Sequence, residues 1–240
     1  MINLNIQPVV WALIDERPGT GNQTLAVAKL LDLPFEEKKL HWTHFAELPN
    51  LLIGASLRGL TESSKSEIKT PWPDLVIAAG RRAGSVARYI KKQSLDDCSL
   101  VQIMNPGESM IRDFDLVAVP NHDGVLNSNP NIIRTTGAPH GIENGSLSEA
   151  RVHWHTKFPD FKKPLIGLVL GGATGRRPFS AEIAQELGRQ SGDLVKKLDG
   201  SLFVTSSPRT GSALDAVLSG LAGADVEPAF VYRWSPEDPA

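Results

Sequence analysis

Val9-Val10-Trp11-Ala12-Leu13-Ile14 runs into Asp15-Glu16-Arg17-Pro18-Gly19-Thr20-Gly21-Asn22-Gln23, and Leu165-Ile166-Gly167-Leu168-Val169-Leu170 runs into Gly171-Gly172-Ala173-Thr174-Gly175. Each is a short apolar run that opens into a glycine-rich turn and then a helix-like stretch. A strand ending in such a turn presents free backbone N–H groups and the positive end of a helix dipole, which together suit a phosphate or carboxylate. Two such openings imply two halves facing a shared ligand cleft.

Outward from the first opening, the pattern predicts strand 9–14, helix 21–31, strand 36–40, a helical connection through 44–59, strand 75–79 and helix 83–93. Strands 100–104, 115–119 and 131–135 follow. The unbroken apolar run Leu75-Val76-Ile77-Ala78-Ala79 fits a strand buried on both faces, as in a parallel sheet covered by helices. The segment 60–73, with Glu62, Ser63, Ser64, Lys65, Ser66 and Pro71-Trp72-Pro73, reads as a surface loop. A polar stretch after Gly137-Ala138-Pro139-His140-Gly141 runs to about Lys163 and marks a boundary, giving domains 1–160 and 161–240. The second domain reads as strand 165–170, helix 180–198, strand 201–205, helix 211–222 and strand 229–233. Doubly wound domains usually carry five or six strands, so this one reads as unusually small or incomplete.

With 240 residues and 41% hydrophobic content, the chain suffices for one large α/β domain or two small ones. Its formal charge of -2 does not favour nucleic acid as a partner, and small molecules fit better. The one cysteine, Cys98, forms no disulfide within the chain and has no metal-type ligand near it in sequence, which points to a reducing cytoplasm. Met1-Ile2-Asn3-Leu4-Asn5 lacks the basic start and apolar core of a secretion signal, and no run approaches the roughly 20 apolar residues of a membrane span. Peripheral membrane contact stays open, and nothing in the sequence fixes an oligomeric state.

The first turn lacks a dinucleotide fingerprint, because Thr24 stands where the third glycine would be, and it lacks the Lys-Ser/Thr of a P-loop. Gly19, Thr20, Gly21, Asn22 and Gln23 are read as receiving an acceptor or acidic group. The competing reading is a turn whose glycines supply unusual dihedrals while Thr20 or Asn22 caps the helix. Gly80-Arg81-Arg82 follows the third strand, placing two guanidinium groups at the carboxyl edge where open α/β sheets bind ligands. Such a pair suits phosphate or carboxylate, unless both arginines are simply solvated at a helix start. His122 beside Asp123 is the candidate general base with its orienting carboxylate, although Asn121 and Asp123 are also ordinary turn formers. His140 is a similar, weaker candidate.

His153-Trp154-His155 and the His41, His44 pair offer no third ligand at a recognisable spacing, so no metal site is read. There is no Gly-x-Ser-x-Gly elbow, and hydrolysis through a covalent serine is not supported. In the second domain Gly171 and Gly172 let backbone approach a ligand with Arg176 and Arg177 nearby, and Ser206-Ser207-Pro208-Arg209-Thr210-Gly211 follows the next strand. Together they offer donors for a diphosphate; alternatively Thr210 and the serines cap the helix and Arg209 is solvated.

Trp11 through Gln23, Pro73 through Arg82, Asn121-His122-Asp123 and Thr136-Gly137-Ala138-Pro139-His140 resemble the mitochondrial-fission factor family of plants, named for elongated mitochondria, and its bacterial relatives. The resemblance covers nearly the whole chain. It implies two Rossmann-like domains in a GT-B-like arrangement, with the second domain on the donor side and the first on the acceptor side. By that analogy Gly171, Gly172, Thr174, Ser206, Ser207 and Arg209 lie near a nucleotide-sugar donor. The resemblance also implies further strands and helices beyond Tyr232-Arg233-Trp234. The expectation is a metal-independent glycosyltransferase of unknown acceptor, with no resident cofactor. The alternatives are a non-enzymatic interaction protein and an epimerase acting on a nucleoside-diphosphate sugar; against the last stands the missing Gly-x-Gly-x-x-Gly with a Tyr-x-x-x-Lys pair.

Overall fold

The computed structural model describes residues 7–123, 129–158, 160–173, 178–235 and 237. The chain divides into two compact units, Met1–Glu143 and Asn144–Ala240, here units 1 and 2.

Unit 1 is built on strands β1 (Val10–Asp15), β2 (Phe35–Leu40), β3 (Leu75–Ala79), β4 (Ser99–Ile103), β5 (Leu116–Pro120) and β6 (Ile132–Thr135). They form one sheet in the order β2-β1-β3-β4-β5-β6, and every pairing is parallel. Alternate residues of a strand face opposite sides of its sheet. Trp11, Leu13, Val76 and Ala78 accordingly enter one core cluster, and Val10, Ala12, Ile77 and Ala79 enter another. That two-sided burial is why β1 and β3 read as unbroken apolar runs. The chain leaves β1 for β2 on one side and reaches β3 on the other. The carboxyl ends of β1 and β3 therefore flank the point where strand order reverses, the ligand-binding position of open α/β sheets.

Helices α1 (Pro18–Leu30) and α4 (Gly80–Gln93) start at those two strand ends. Between them lie a 3-10 turn at His44–Glu47 and the short helices α2 (Asn50–Ile53) and α3 (Glu62–Glu67). The last corrects the expected loop over 60–73. Thr61 caps the helix by accepting from the Ser64 amide at 3.4 Å. Ser64 Oγ accepts from the His41 amide and donates to the Lys39 carbonyl, clipping this polar turn to the end of β2.

Unit 2 begins with α5 (Asn144–Lys157), in a stretch that reads as polar linker. The compact units therefore part at Glu143/Asn144 rather than at 160/161. The reason is aromatic: Trp154 on α5 stacks with Phe158, and both rings meet Phe230, while Phe158 also meets Phe203. Two side chains outweigh the polar composition of the helix. Strands β7 (Leu165–Val169), β8 (Ser201–Thr205) and β9 (Phe230–Tyr232) form a parallel sheet in that order. Helices α6 (Ala181–Leu198) and α7 (Ala213–Gly223) connect them. Leu170, Leu202, Val204, Leu214, Val217 and Leu221 form the core between sheet and helices. The two helices touch backbone to backbone, since a Cβ at Gly220 would meet the Gln185 carbonyl and one at Gly188 the Val217 carbonyl.

Candidate functional site

In unit 1 the two stretches expected to bind substrate converge. A side chain at Gly80 would lie 3.1 Å from Thr20 Cγ2, so the starts of α1 and α4 are neighbours at the β1/β3 edge. Gly19–Gln23 is not an open turn, however. Pro18 at the first helical position starts α1 three residues earlier than expected, and neither Thr20 nor Asn22 is its cap. Thr20 Oγ1 donates to the Arg17 carbonyl, and Gln23 Nε2 donates to the Gly19 carbonyl. Gly21 is buried where a Cβ would meet the Asp15 carbonyl, so this glycine serves helix–strand packing. Only Gly19 and Asn22 of the five are exposed.

Arg82 is neither solvated nor freely presented. Its Nη2 donates to both carboxylate oxygens of Asp15, at 2.7 and 3.0 Å, in a pair whose side chains are only 7% and 4% exposed. The guanidinium also lies 4.9 Å from the Trp42 ring centroid. Asp15 Oδ1 further accepts from the Arg17 amide at 2.8 Å, which fixes the turn into α1. Arg81 staples the intervening segment to the edge: Nη1 donates to the Leu48 carbonyl and Nη2 to the Ala46 carbonyl. Glu47 completes the cluster. Its carboxylate is 2.9 Å from Arg17 and 4.0 Å from both Arg81 and Arg82.

Sequence reading missed Asp15, Arg17, Trp42 and Glu47 as members of this site. The one available signal was a carboxylate ending an otherwise apolar strand. Its partner lies 67 positions away, which no local pattern reveals.

His122 and Asp123 follow β5, at the same carboxyl edge but two strands from β3, roughly 10 Å at normal strand spacing. His122 Nε2 stands 3.7 Å from Asp123 Oδ1, beyond hydrogen-bond reach, and its side chain is 68% exposed. The structure therefore holds no oriented dyad here. His140 Nδ1 accepts from the Ile142 amide at 3.3 Å. Among the described residues no three His, Cys, Asp or Glu side chains are grouped to hold a metal ion. No described helix is long and apolar enough to cross a membrane.

In unit 2 the loops after β7 and β8 meet. Gly172 lies against the backbone of Arg209, where a Cβ would collide with the Arg209 carbonyl. Thr174 and Arg176 fall outside the described residues. The hydroxyls expected to reach a diphosphate are committed elsewhere. Thr210 Oγ1 donates to the Leu170 and Gly171 carbonyls and accepts from the Ser207 amide, which leaves the Ser207 hydroxyl as donor in their 3.0 Å contact. Ser206 Oγ donates to the Tyr232 carbonyl and accepts from the Trp234 amide. These serines tie three strand ends together.

What remains available is different. Arg209 is exposed, and among the described residues its side chain has no ion-pair or hydrogen-bond partner. The amides of Gly211 and Ser212, immediately before α7, likewise donate to nothing described. A free guanidinium beside free amides at the positive end of an 11-residue helix can receive an anion.

Two Rossmann-like units of parallel β/α construction place this protein in the GT-B fold class. The fold resembles UDP-GlcNAc 2-epimerase from Neisseria meningitidis bound to UDP-GlcNAc, with a TM-score of 0.57 and 13% identity over 95% of this chain and 72% of that one. It also resembles the UDP-GlcNAc 2-epimerase of Methanocaldococcus jannaschii, at a TM-score of 0.53 and 10% identity over 95% of this chain and 74% of that one. At such identities the likeness concerns the fold alone. The pattern of the Mitochondrial fission ELM1 family matches residues 18–240, and the chain belongs to that family. The mitochondrial fission protein ELM1 of Arabidopsis thaliana is 26% identical over 211 residues, covering 78% of this chain. An uncharacterized protein of Rickettsia prowazekii (strain Madrid E) is 25% identical over 240 residues, covering 87% of this chain and 67% of that protein. The chain spans 48% of the plant relative's length.

Proposed function

We propose that unit 2 binds the diphosphate of a nucleotide sugar at the start of α7 and that the sugar passes to an acceptor held at the β1/β3 edge of unit 1. The observation that carries this reading is the set of unengaged donors, Arg209 with the Gly211 and Ser212 amides, beside the close approach of Gly172. In glycosyl transfer the diphosphate is the leaving group, and charge grows on it as the glycosidic bond breaks. A guanidinium and a helix N-terminus stabilise that charge without a metal ion. The Neisseria meningitidis neighbour, by its description, is bound to UDP-GlcNAc, which makes UDP sugars the first donors to try. In this scheme His122 or Asp123 takes the acceptor proton once substrate draws them into reach.

Titration calorimetry with UDP, UDP-GlcNAc and the GDP and CDP sugars tests it. The expected result is saturable binding that Arg209→Ala weakens about tenfold, the worth of one charge-assisted contact at an exposed site. Failure of every nucleotide and nucleotide sugar to bind would end this reading.

One observation favours a second reading, a non-enzymatic interaction protein. His122 and Asp123 stand 3.7 Å apart, beyond hydrogen-bond reach, and His122 is largely open to water, so no acid–base pair is preassembled. That reading expects cellular function to survive Arg209→Ala and to fail on surface changes within 60–73.

A further inference from the structure

We propose that the β1/β3 edge of unit 1 is a binding site for a phosphate monoester, which Glu47 occupies as an internal stand-in. The proposal rests on the acceptor reading above and gives that acceptor a chemical class. Arg17, Arg81 and Arg82 all face one carboxylate, that of Glu47, at 2.9, 4.0 and 4.0 Å. A salt bridge with one hydrogen-bonded partner needs no such surplus.

The most telling group is Arg82. It is more than nine-tenths buried and spends only Nη2, on Asp15. Its Nε and Nη1 make no hydrogen bond among the described residues, and Nη1 lies 4.0 Å from Glu47, too far to donate. Both atoms are uncommitted among the described residues, which leaves a place for a larger or deeper-reaching anion than a glutamate side chain supplies.

Charge favours a dianion. Three arginines stand against Asp15 and Glu47, and moving Glu47 aside leaves two positive charges uncompensated. A carboxylate would cancel one of them, and a phosphate monoester cancels both. The starts of α1 and α4 add their positive ends at the same edge. Glu47 is suited to leave, since its side chain is 65% exposed and its one close partner, Arg17, is 60% exposed. Exposed pairs of this kind hold weakly and exchange readily.

The test is a 31P NMR titration with inorganic phosphate, made in the Arg209→Ala background so that the arginine proposed to bind a diphosphate in unit 2 does not contribute. Glu47→Gln removes the internal competitor at an exposed position and is expected to tighten phosphate binding about tenfold; adding Arg17→Gln is expected to reverse most of that gain. Tightening by Glu47→Gln with reversal by Arg17→Gln supports the proposal. An unchanged or weaker affinity in Glu47→Gln, or no saturation by either protein at tens of millimolar phosphate, overturns it. UDP titration of the chain with Arg209 intact reads the donor side separately. Loss of UDP binding refutes sugar transfer, while the Glu47→Gln response alone decides the phosphate site.

Discussion

Replacing Asp15 with alanine strands Arg82. The Asp15 carboxylate is held by Arg82 at 2.7 and 3.0 Å with both side chains almost wholly out of water, and it also accepts from the Arg17 amide. Removing one partner of a buried pair typically costs 3–5 kcal/mol, because the remaining charge has lost both water and counter-ion. Glu47, 4.0 Å from Arg82, recovers part of that, which places the expected cost near the bottom of the range, about 3 kcal/mol. For a unit of this size that corresponds to a fall of about 10 °C in its melting temperature. Arg82→Met keeps an unbranched aliphatic side chain at this buried position and removes the charge, with its stacking on Trp42. The double variant Asp15→Ala/Arg82→Met is then expected to be more stable than Asp15→Ala alone by about 1–2 kcal/mol. Because two units need not unfold together, hydrogen exchange of peptides from β3 and α4 is the appropriate readout of unit 1. Costs that add within about 0.5 kcal/mol, or an Asp15→Ala cost below about 1 kcal/mol, would refute the view that this pair is a coupled buried charge.

Gly220→Ala pushes a methyl into the Gln185 carbonyl and is expected to destabilise unit 2 by about 2 kcal/mol, while Gly223→Ala, with open space beside it, is not; urea unfolding separates them. Burial pushes the Cys98 thiol up to about 11, against the opposing pull of Lys91, so a disulfide reagent at pH 8 should label the native protein far more slowly than the urea-unfolded one. Asp115 loses some water in the fold, yet its carboxyl is held below its ordinary value by hydrogen bonds from Lys91 and the Leu100 amide. A carboxyl lowered in the folded state adds stability above its unfolded value, about 3.9, and loses it as pH falls through the lower folded value. Acid unfolding of unit 1 should therefore depend less on pH below about 4 in Asp115→Asn than in the parent.

Much of the architecture is legible in the residues. β1 and β3 announce themselves as unbroken apolar runs because both faces of a central parallel strand are buried, and Ser180 marks the start of α6 through capping, whereas α1 and α4 each start three residues before their expected positions. α5 escapes notice because the aromatic contacts of this 14-residue helix come from Trp154 and the adjoining Phe158, too few positions to make an apolar stripe. α3 escapes because its stability comes from Thr61 and from the clip of Ser64 onto β2, contacts that span 23 and 25 positions.

The same division separates the two candidate sites. Sequence alone determined that arginines and glycines stand at the strand ends of both units, since residue type and local pattern suffice for that. Only tertiary structure decided what those groups are free to do. Folding committed the Ser206, Ser207 and Thr210 hydroxyls to strand-end carbonyls and to each other, left Arg209 and two amides unengaged, and turned Arg82 inward onto Asp15. A hydrogen-bond donor is available to a ligand only when the fold has not already satisfied it, and apart from the Ser207–Thr210 pair the partners here come from residues 26 to 67 positions away.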